Sequence, residues 1–178
     1  MESLHGEIFG HLLVGCSTTP GKYVLPHLLA QFHHEHPKVR VTYLVTPQAQ
    51  AINMLCEGKP HFALASFAQK SCLDAEFVEF LCDPVVLITP LDHPWAKKKV
   101  IEIKDLHDVN FILREEDSGT YHTVRDALLN TNIRIERLKT LLALGNSEAI
   151  ALSVQNGLGV GFVSHAVATG MGQNRVAI

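Results

Sequence analysis

The sequence is poor in clustered positive charge. Beyond Lys97-Lys98-Lys99 it has no basic run, and its formal net charge is -3. Neutralising nucleic-acid phosphates requires a basic face, so these residues alone are not expected to bind nucleic acid. The four cysteines, Cys16, Cys56, Cys72 and Cys82, show no CxxC or zinc-ligand spacing. Three sit in or beside apolar runs, which favours buried free thiols in a reducing compartment over disulfides. No apolar run approaches the ~18 residues of a membrane span. The opening Met-Glu-Ser-Leu-His-Gly has no basic segment followed by an apolar one, so it does not read as a signal peptide. Together these absences predict a cytoplasmic protein that does not enter a membrane.

What remains is ordinary globular composition. Hydrophobic residues make up 47% of 178, enough for a core and too many for disorder. That length allows one domain or two small lobes. Strand and helix signals alternate from the start. His11 to Cys16 is an apolar run ending in Ser17-Thr18-Thr19-Pro20-Gly21, read as a loop with helix-capping chemistry. Val24, Leu25, Leu28, Leu29 and Phe32 recur at helical spacing up to Pro37. Val39, Val41, Tyr43 and Val45 alternate as a strand. Ala49, Ile52 and Leu55 give a second helix closed by Gly58, and His61 to Ala65 a third strand. This β-α-β-α-β order favours a parallel sheet covered by helices.

Phe77 to Leu81 and Val85 to Thr89 are apolar runs split by Asp83-Pro84, and Pro90 to Pro94 is rich in breakers. Alternation then resumes. Phe111 to Leu113 reads as a strand and Ser118-Gly119-Thr120 as a helix start, with Val124, Leu128 and Leu129 as its apolar face. Arg137 to Leu142 is a strand candidate, Ser147 is expected to cap a helix reaching Asn156, and Gly159 to Val163 is a buried strand. Two β-α lobes joined by a crossing segment near 83–95 are predicted.

Three loops share one design: an apolar strand, then hydroxyl or amide side chains, then a helix. They hold Ser17-Thr18-Thr19, Ser118-Gly119-Thr120 and Asn146-Ser147. Helix starts leave backbone N–H groups unpaired and carry partial positive charge, and loops at strand carboxyl ends line ligand crevices in open α/β sheets. With Arg114 ending the strand before one of them, an anion held between lobes is the sharper expectation. The plainer one is that each loop only caps its helix.

Other motifs are weaker. Asp117-Ser118-Gly119-Thr120 spells an aspartic-protease signature, but that chemistry needs a second carboxylate, and the chain has no second copy. Gly157-Leu-Gly159-Val-Gly161 lies after a helix and before a strand, the wrong order for cradling phosphate; it reads as a tight turn. His33-His34-Glu35-His36 splays around a helix end, so no metal site is expected. Gly-x-Ser-x-Gly is absent, and the adjacent Ser164 and His165 point apart on a helix. No catalytic residue, cofactor or metal is predicted.

Taken together, the segments resemble the effector-binding domain of LysR-type transcriptional regulators. The likeness runs from Gly10 to Gly15, through Leu25 to Phe32 and His36 to Val39. It continues at Cys56-Glu-Gly58, His61 to Ala65, Asp92 to Ala96 and Asp105-Leu106. It closes with Asn146 to Ala149 and Asn156 to Gly161. The stretch Arg114 to Thr120 is similar to one in a subgroup that includes regulators of carbon-fixation genes.

The resemblance implies an α/β fold of two Rossmann-like lobes with a ligand cleft between them, like a type 2 periplasmic binding protein. Lobe I would span about 10–83 plus the chain end, about 164–178, and lobe II about 90–163. Residues 1–9 would be a linker remnant, and the DNA-binding helix-turn-helix domain is absent from this sequence. Effector-binding positions would be Ser17, Thr18, Thr19, Ser66, Phe67, Arg114, Ser118, Gly119, Thr120, Asn146, Phe162 and Val163. The effector would be a small anionic metabolite, and the regulator a homodimer or tetramer paired through the helix near Leu25 to Phe32. DNA would be reached only through the missing N-terminal domain.

Three features depart from the family pattern. His61 replaces a usual Asp, Tyr121 stands where the subgroup commonly has Arg, and the sequence stops at Val176-Ala-Ile178, so a fragment is expected. Two other readings stay open at this point. One is a solute receptor of a transport system. The other is an enzyme on a similar fold, for which Asp117, His122 and Glu148 are the residues to test.

Overall fold

The computed structural model describes residues 2–4, 7–67, 74–170 and 175–178. Contacts divide the chain into two units, Met1–Phe80 and Leu81–Ile178.

In the first unit β2 (Glu7–Cys16) is the central strand. β3 (Val39–Val45) and β4 (Phe62–Leu64) run parallel to it, and β1 (Glu2–Leu4) pairs antiparallel with its first residues. The stretch expected to be a linker remnant therefore extends the first sheet. Along β2, Val14 and Cys16 are fully buried and pack with Leu25; Leu12, Leu29, Val41 and Leu64 surround them. This is the period-2 alternation of a strand meeting the 3.6-residue stripe of a helix.

Helical backbone begins at Thr18, earlier than expected. It passes through a π-helical turn, Pro20–Val24, into α1 (Leu25–Glu35). Gly21 is required here. A Cβ on it would lie 2.8 Å from both Cys16 Sγ and Val45 Cγ2, so the turn seats directly on the ends of β2 and β3. α2 (Gln48–Cys56) buries Ala51 and Ile52. The departure expected at His61 is absorbed locally. Its Nδ1 accepts from the Leu13 amide at 2.9 Å, and its own amide donates to Leu13 O at 2.9 Å.

The cysteine expectation needs correction. Cys56 is disulfide-bonded and exposed at the end of α2. Its apolar neighbours Met54 and Leu55 suggested a core thiol, but the helix turns this last position to solvent. Cys16 is a buried free thiol and Cys82 an exposed one, and Cys72 lies outside the described residues. Cysteine usage thus carries no argument for a reducing compartment.

In the second unit the sheet order is β5-β8-β6-β7. β6 (Asn110–Arg114), β7 (Lys139–Leu144) and β8 (Val160–Ser164) are parallel, and β5 (Val85–Ile88) is antiparallel to β8. Phe111, Ile112 and Leu113 of β6 are all buried, as in a strand covered on both faces. Phe111 and Leu113 join Val124 and Leu128 of α3 (Gly119–Leu129) in the main core, and Phe162 stacks on Phe111 with centroids 5.6 Å apart. Ile112 lies opposite Gly161 on β8. Gly161 admits α4 (Ser147–Gln155), since its Cβ would stand 2.7 Å from Ile150 Cγ2. Gly157 turns the chain out of α4 at φ +78°, so Gly157 to Gly159 form the predicted helix-to-strand turn and Gly161 lies in β8.

Two further expectations shift, and one apolar run is exposed. β7 starts at Lys139 because Ile135–Arg137 forms a 3-10 turn that buries Ile135. Phe77 to Leu81 lies in no strand, and Phe77, Val78, Phe80 and Leu81 are exposed. The chain end, expected in lobe I, makes its contacts in the second unit. α5 (His165–Gly170) packs on β5, β8 and α4, and Ala177 bridges Thr89. No helix among the described residues is long and apolar enough to cross a membrane.

Candidate functional site

The predicted polar residues fall at the carboxyl ends of strands, in one set on each unit.

On the first unit, β2 ends at Ser17, which is 4% exposed. Its amide donates to Leu64 O at 2.9 Å and its hydroxyl pairs with that of Ser66 at 3.1 Å. The Ser17 side chain therefore joins the ends of β2 and β4, and Thr19 makes no side-chain cap either. The capping reading fails for this loop. Half-buried Thr18 and Thr19 open the helix beside it. Gln48, which the sequence reading missed, braces the same edge. Its Oε1 accepts from the Ser66 amide at 2.8 Å and its Nε2 donates to Phe67 O at 3.1 Å. The available signal was Thr46-Pro47-Gln48, another strand end running into a helix start.

On the second unit the plain reading holds for two residues. Ser118, 6% exposed, accepts from the Tyr121 amide at 3.1 Å and caps α3. Asn146, rather than Ser147, caps α4, accepting from Glu148 N at 2.8 Å and Ala149 N at 3.2 Å. Ser147 is the first helical residue. Its buried hydroxyl accepts from Arg114 Nη1 at 2.7 Å.

Arg114 ends β6, and its side chain is 9% exposed. Its remaining edge faces one carboxylate: Nε reaches Glu115 Oε2 at 2.7 Å and Nη2 reaches Oε1 at 2.6 Å. A guanidinium removed from water demands such paired partners. Gly119 and Thr120 form the first turn of α3, half-buried.

Phe162 and Val163 add no polar side chain to these groups. Phe162 packs against the core on Phe111, and Val163 is fully buried in β8. Among the residues of the enzyme reading, Asp117 is exposed in the turn before Ser118. No group of three or more His, Cys, Asp or Glu among the described residues is placed to hold a metal. A shallow concavity of about 550 Å³ on the second unit is lined by Arg125, Arg134, Glu136 and Arg137, with Leu129 and Ile135. It contains none of the predicted residues.

Comparison with known proteins gives a consistent result. The LysR substrate binding domain model matches residues 5–178. A probable RuBisCO transcriptional regulator from Cyanidium caldarium is 34% identical over 92% of this chain and 52% of its own length. An uncharacterized HTH-type transcriptional regulator from Methanocaldococcus jannaschii is 29% identical, over 92% of this chain and 55% of its own. The chain thus spans about half the length of the curated relatives it matches. The Synechocystis CcmR regulatory domain, solved in complex with 2-PG, superposes with a TM-score of 0.84 at 29% identity. That match covers 94% of this chain and 79% of the solved one. The fold is also that of the QuiR effector-binding domain, at a TM-score of 0.80 and 20% identity.

Proposed function

The chain belongs to the LysR substrate-binding-domain family, and from that premise we propose that it is the ligand-sensing part of a DNA-binding transcription regulator. Its effector is a small anion. The observation that carries this is Arg114, a nearly buried guanidinium at the carboxyl end of β6 beside the starts of α3 and α4. A forked cation with adjacent helix amides is suited to a carboxylate or phosphate. On the second unit Ser118, Gly119, Thr120 and Asn146 are assigned to effector binding with Arg114; on the first, Ser17, Thr18, Thr19, Ser66 and Phe67 are assigned to it. Phe162 and Val163 support the site from the core.

Binding biases the regulator between states that differ in affinity for the effector, within roughly the 1–3 kcal/mol of coupling typical of such linkage. DNA is contacted by a separate domain of the full-length regulator, which acts in the cytoplasm and is not an enzyme. Self-association uses α1 together with edge strands that carry exposed apolar side chains, Tyr43, Leu44 and Val45 on β3 and Leu141 and Leu142 on β7.

The test is calorimetric titration of this chain with 2-phosphoglycolate, the anionic metabolite bound by the CcmR domain, with other phosphorylated and carboxylated metabolites, and with uncharged analogues. Saturable one-to-one binding of an anion and none of its uncharged analogue is expected. Binding confined to uncharged molecules would contradict the proposal.

A further inference from the structure

We propose that Glu115 is an intramolecular stand-in for the effector's anionic group, occupying the edge of Arg114 that the effector takes when it binds. The inference rests on the effector reading above and adds a competitor to it.

The geometry has three parts. Nε and Nη2 of Arg114 both donate to the same Glu115 carboxylate, at 2.7 and 2.6 Å. That two-point fork is the arrangement by which arginine recognises a free carboxylate or phosphate. The third nitrogen, Nη1, donates one of its N–H groups to Ser147 Oγ at 2.7 Å. Loss of Glu115 would thus leave the guanidinium anchored to α4 and still oriented.

The partners also differ in freedom. The Arg114 side chain is 9% exposed and that of Glu115 is 42% exposed. Glu115 follows directly after β6, outside any strand or helix, and its carbonyl accepts from the Ser118 amide at 3.1 Å. Its backbone is held while its carboxylate reaches solvent. Rotating that carboxylate into water leaves β6, α3 and α4 intact. An arriving anion then replaces one charge-assisted pair with another, so the gain in affinity comes from its remaining contacts. Ligands with a single anionic group and little else bind weakly, because exchanging one charge-assisted pair for another leaves them few further contacts.

An exposed carboxylate in such a pair is a weak competitor, and its removal should tighten anion binding by about fivefold. Calorimetry would compare wild type, Glu115→Gln and Arg114→Lys, using inorganic phosphate and 2-phosphoglycolate as probes. Circular dichroism melting would verify folding of each variant.

Tighter binding of both probes by Glu115→Gln, with weaker binding by Arg114→Lys, supports the proposal. The fold-gain should be the same for both probes, because both displace the same carboxylate. Unchanged or weaker binding by Glu115→Gln, with Arg114→Lys still impaired, overturns the stand-in and leaves the effector reading in place. Binding insensitive to both substitutions overturns the stand-in and the Arg114 assignment together. Failure of wild type and Glu115→Gln alike to bind either probe overturns it as well, and the wider metabolite panel then decides the effector reading.

Discussion

Arg114 and Ser147 are joined by a 2.7 Å hydrogen bond from Nη1 to the hydroxyl, tying the end of β6 to the first turn of α4. The two residues lie 33 positions apart, and the contact is largely shielded from water. Ser147→Ala removes the acceptor and leaves one buried donor unsatisfied, at a cost of about 1.5–3 kcal/mol. Urea denaturation would show a lower midpoint with an unchanged m-value. A midpoint equal to wild type would mean that the bond contributes nothing to stability.

Asn146 satisfies two amides of α4 through one side-chain oxygen. Asn146→Ala should therefore destabilise the unit by about 1 kcal/mol, and Asn146→Ser by much less. Thermal unfolding of the two variants side by side checks the ordering.

Gly159 meets the neighbouring strand so closely that a Cβ would lie 2.4 Å from Asn110 O. The obstacle is backbone and cannot swing aside. Gly159→Ala should cost roughly 2–3 kcal/mol through forced strand displacement. Gly145→Ala, where a Cβ would meet no atom within 4 Å, should be nearly neutral. Denaturation midpoints of the two variants, measured against wild type, check the contrast.

His93 gives a pH signature. Its Nδ1 accepts from the Trp95 amide at 3.2 Å, and burial pushes its pKa below the usual histidine value despite the opposing pull of Asp92. The folded state thus favours neutral imidazole. Stability from this residue is present above the unfolded-state pKa, ~6.5, and is lost as pH falls through the lower folded-state pKa. Melting curves from pH 7.5 to 5 should fall more steeply for wild type than for His93→Asn.

Much of this architecture was legible because burial patterns repeat locally. Val14 and Cys16 alternate along β2, Phe111 to Leu113 form a buried run along β6, and Val124 and Leu128 recur along α3. The helix-start chemistry at Ser118 and Asn146 was visible for the same reason, since a cap acts within three residues. What escaped depends on partners distant in the chain. The Ser17 hydroxyl turns to Ser66 instead of its own helix, and Gln48 reaches across to Ser66 and Phe67. Both follow from strand pairing that no local pattern encodes. The Glu115 carboxylate reads as one more solvated charge until the strand end brings it onto Arg114. Cys56 misled because apolar neighbours in sequence are not neighbours in space at a helix end.

The proposed function rests on strand-end polar residues, which are tested on each unit by itself: Thr18 on the first and Ser118 on the second. The most direct measurement is the dissociation constant of the anion found by titration, for wild type, Thr18→Ala and Ser118→Ala. Arg134→Ala, in the arginine-lined concavity, reports on unspecific charge attraction. Affinity should fall about tenfold in each of the first two, as expected for a lost hydrogen bond to a charged ligand, and stay unchanged in Arg134→Ala. Affinity intact in both Thr18→Ala and Ser118→Ala, or lost only in Arg134→Ala, would contradict the proposed function.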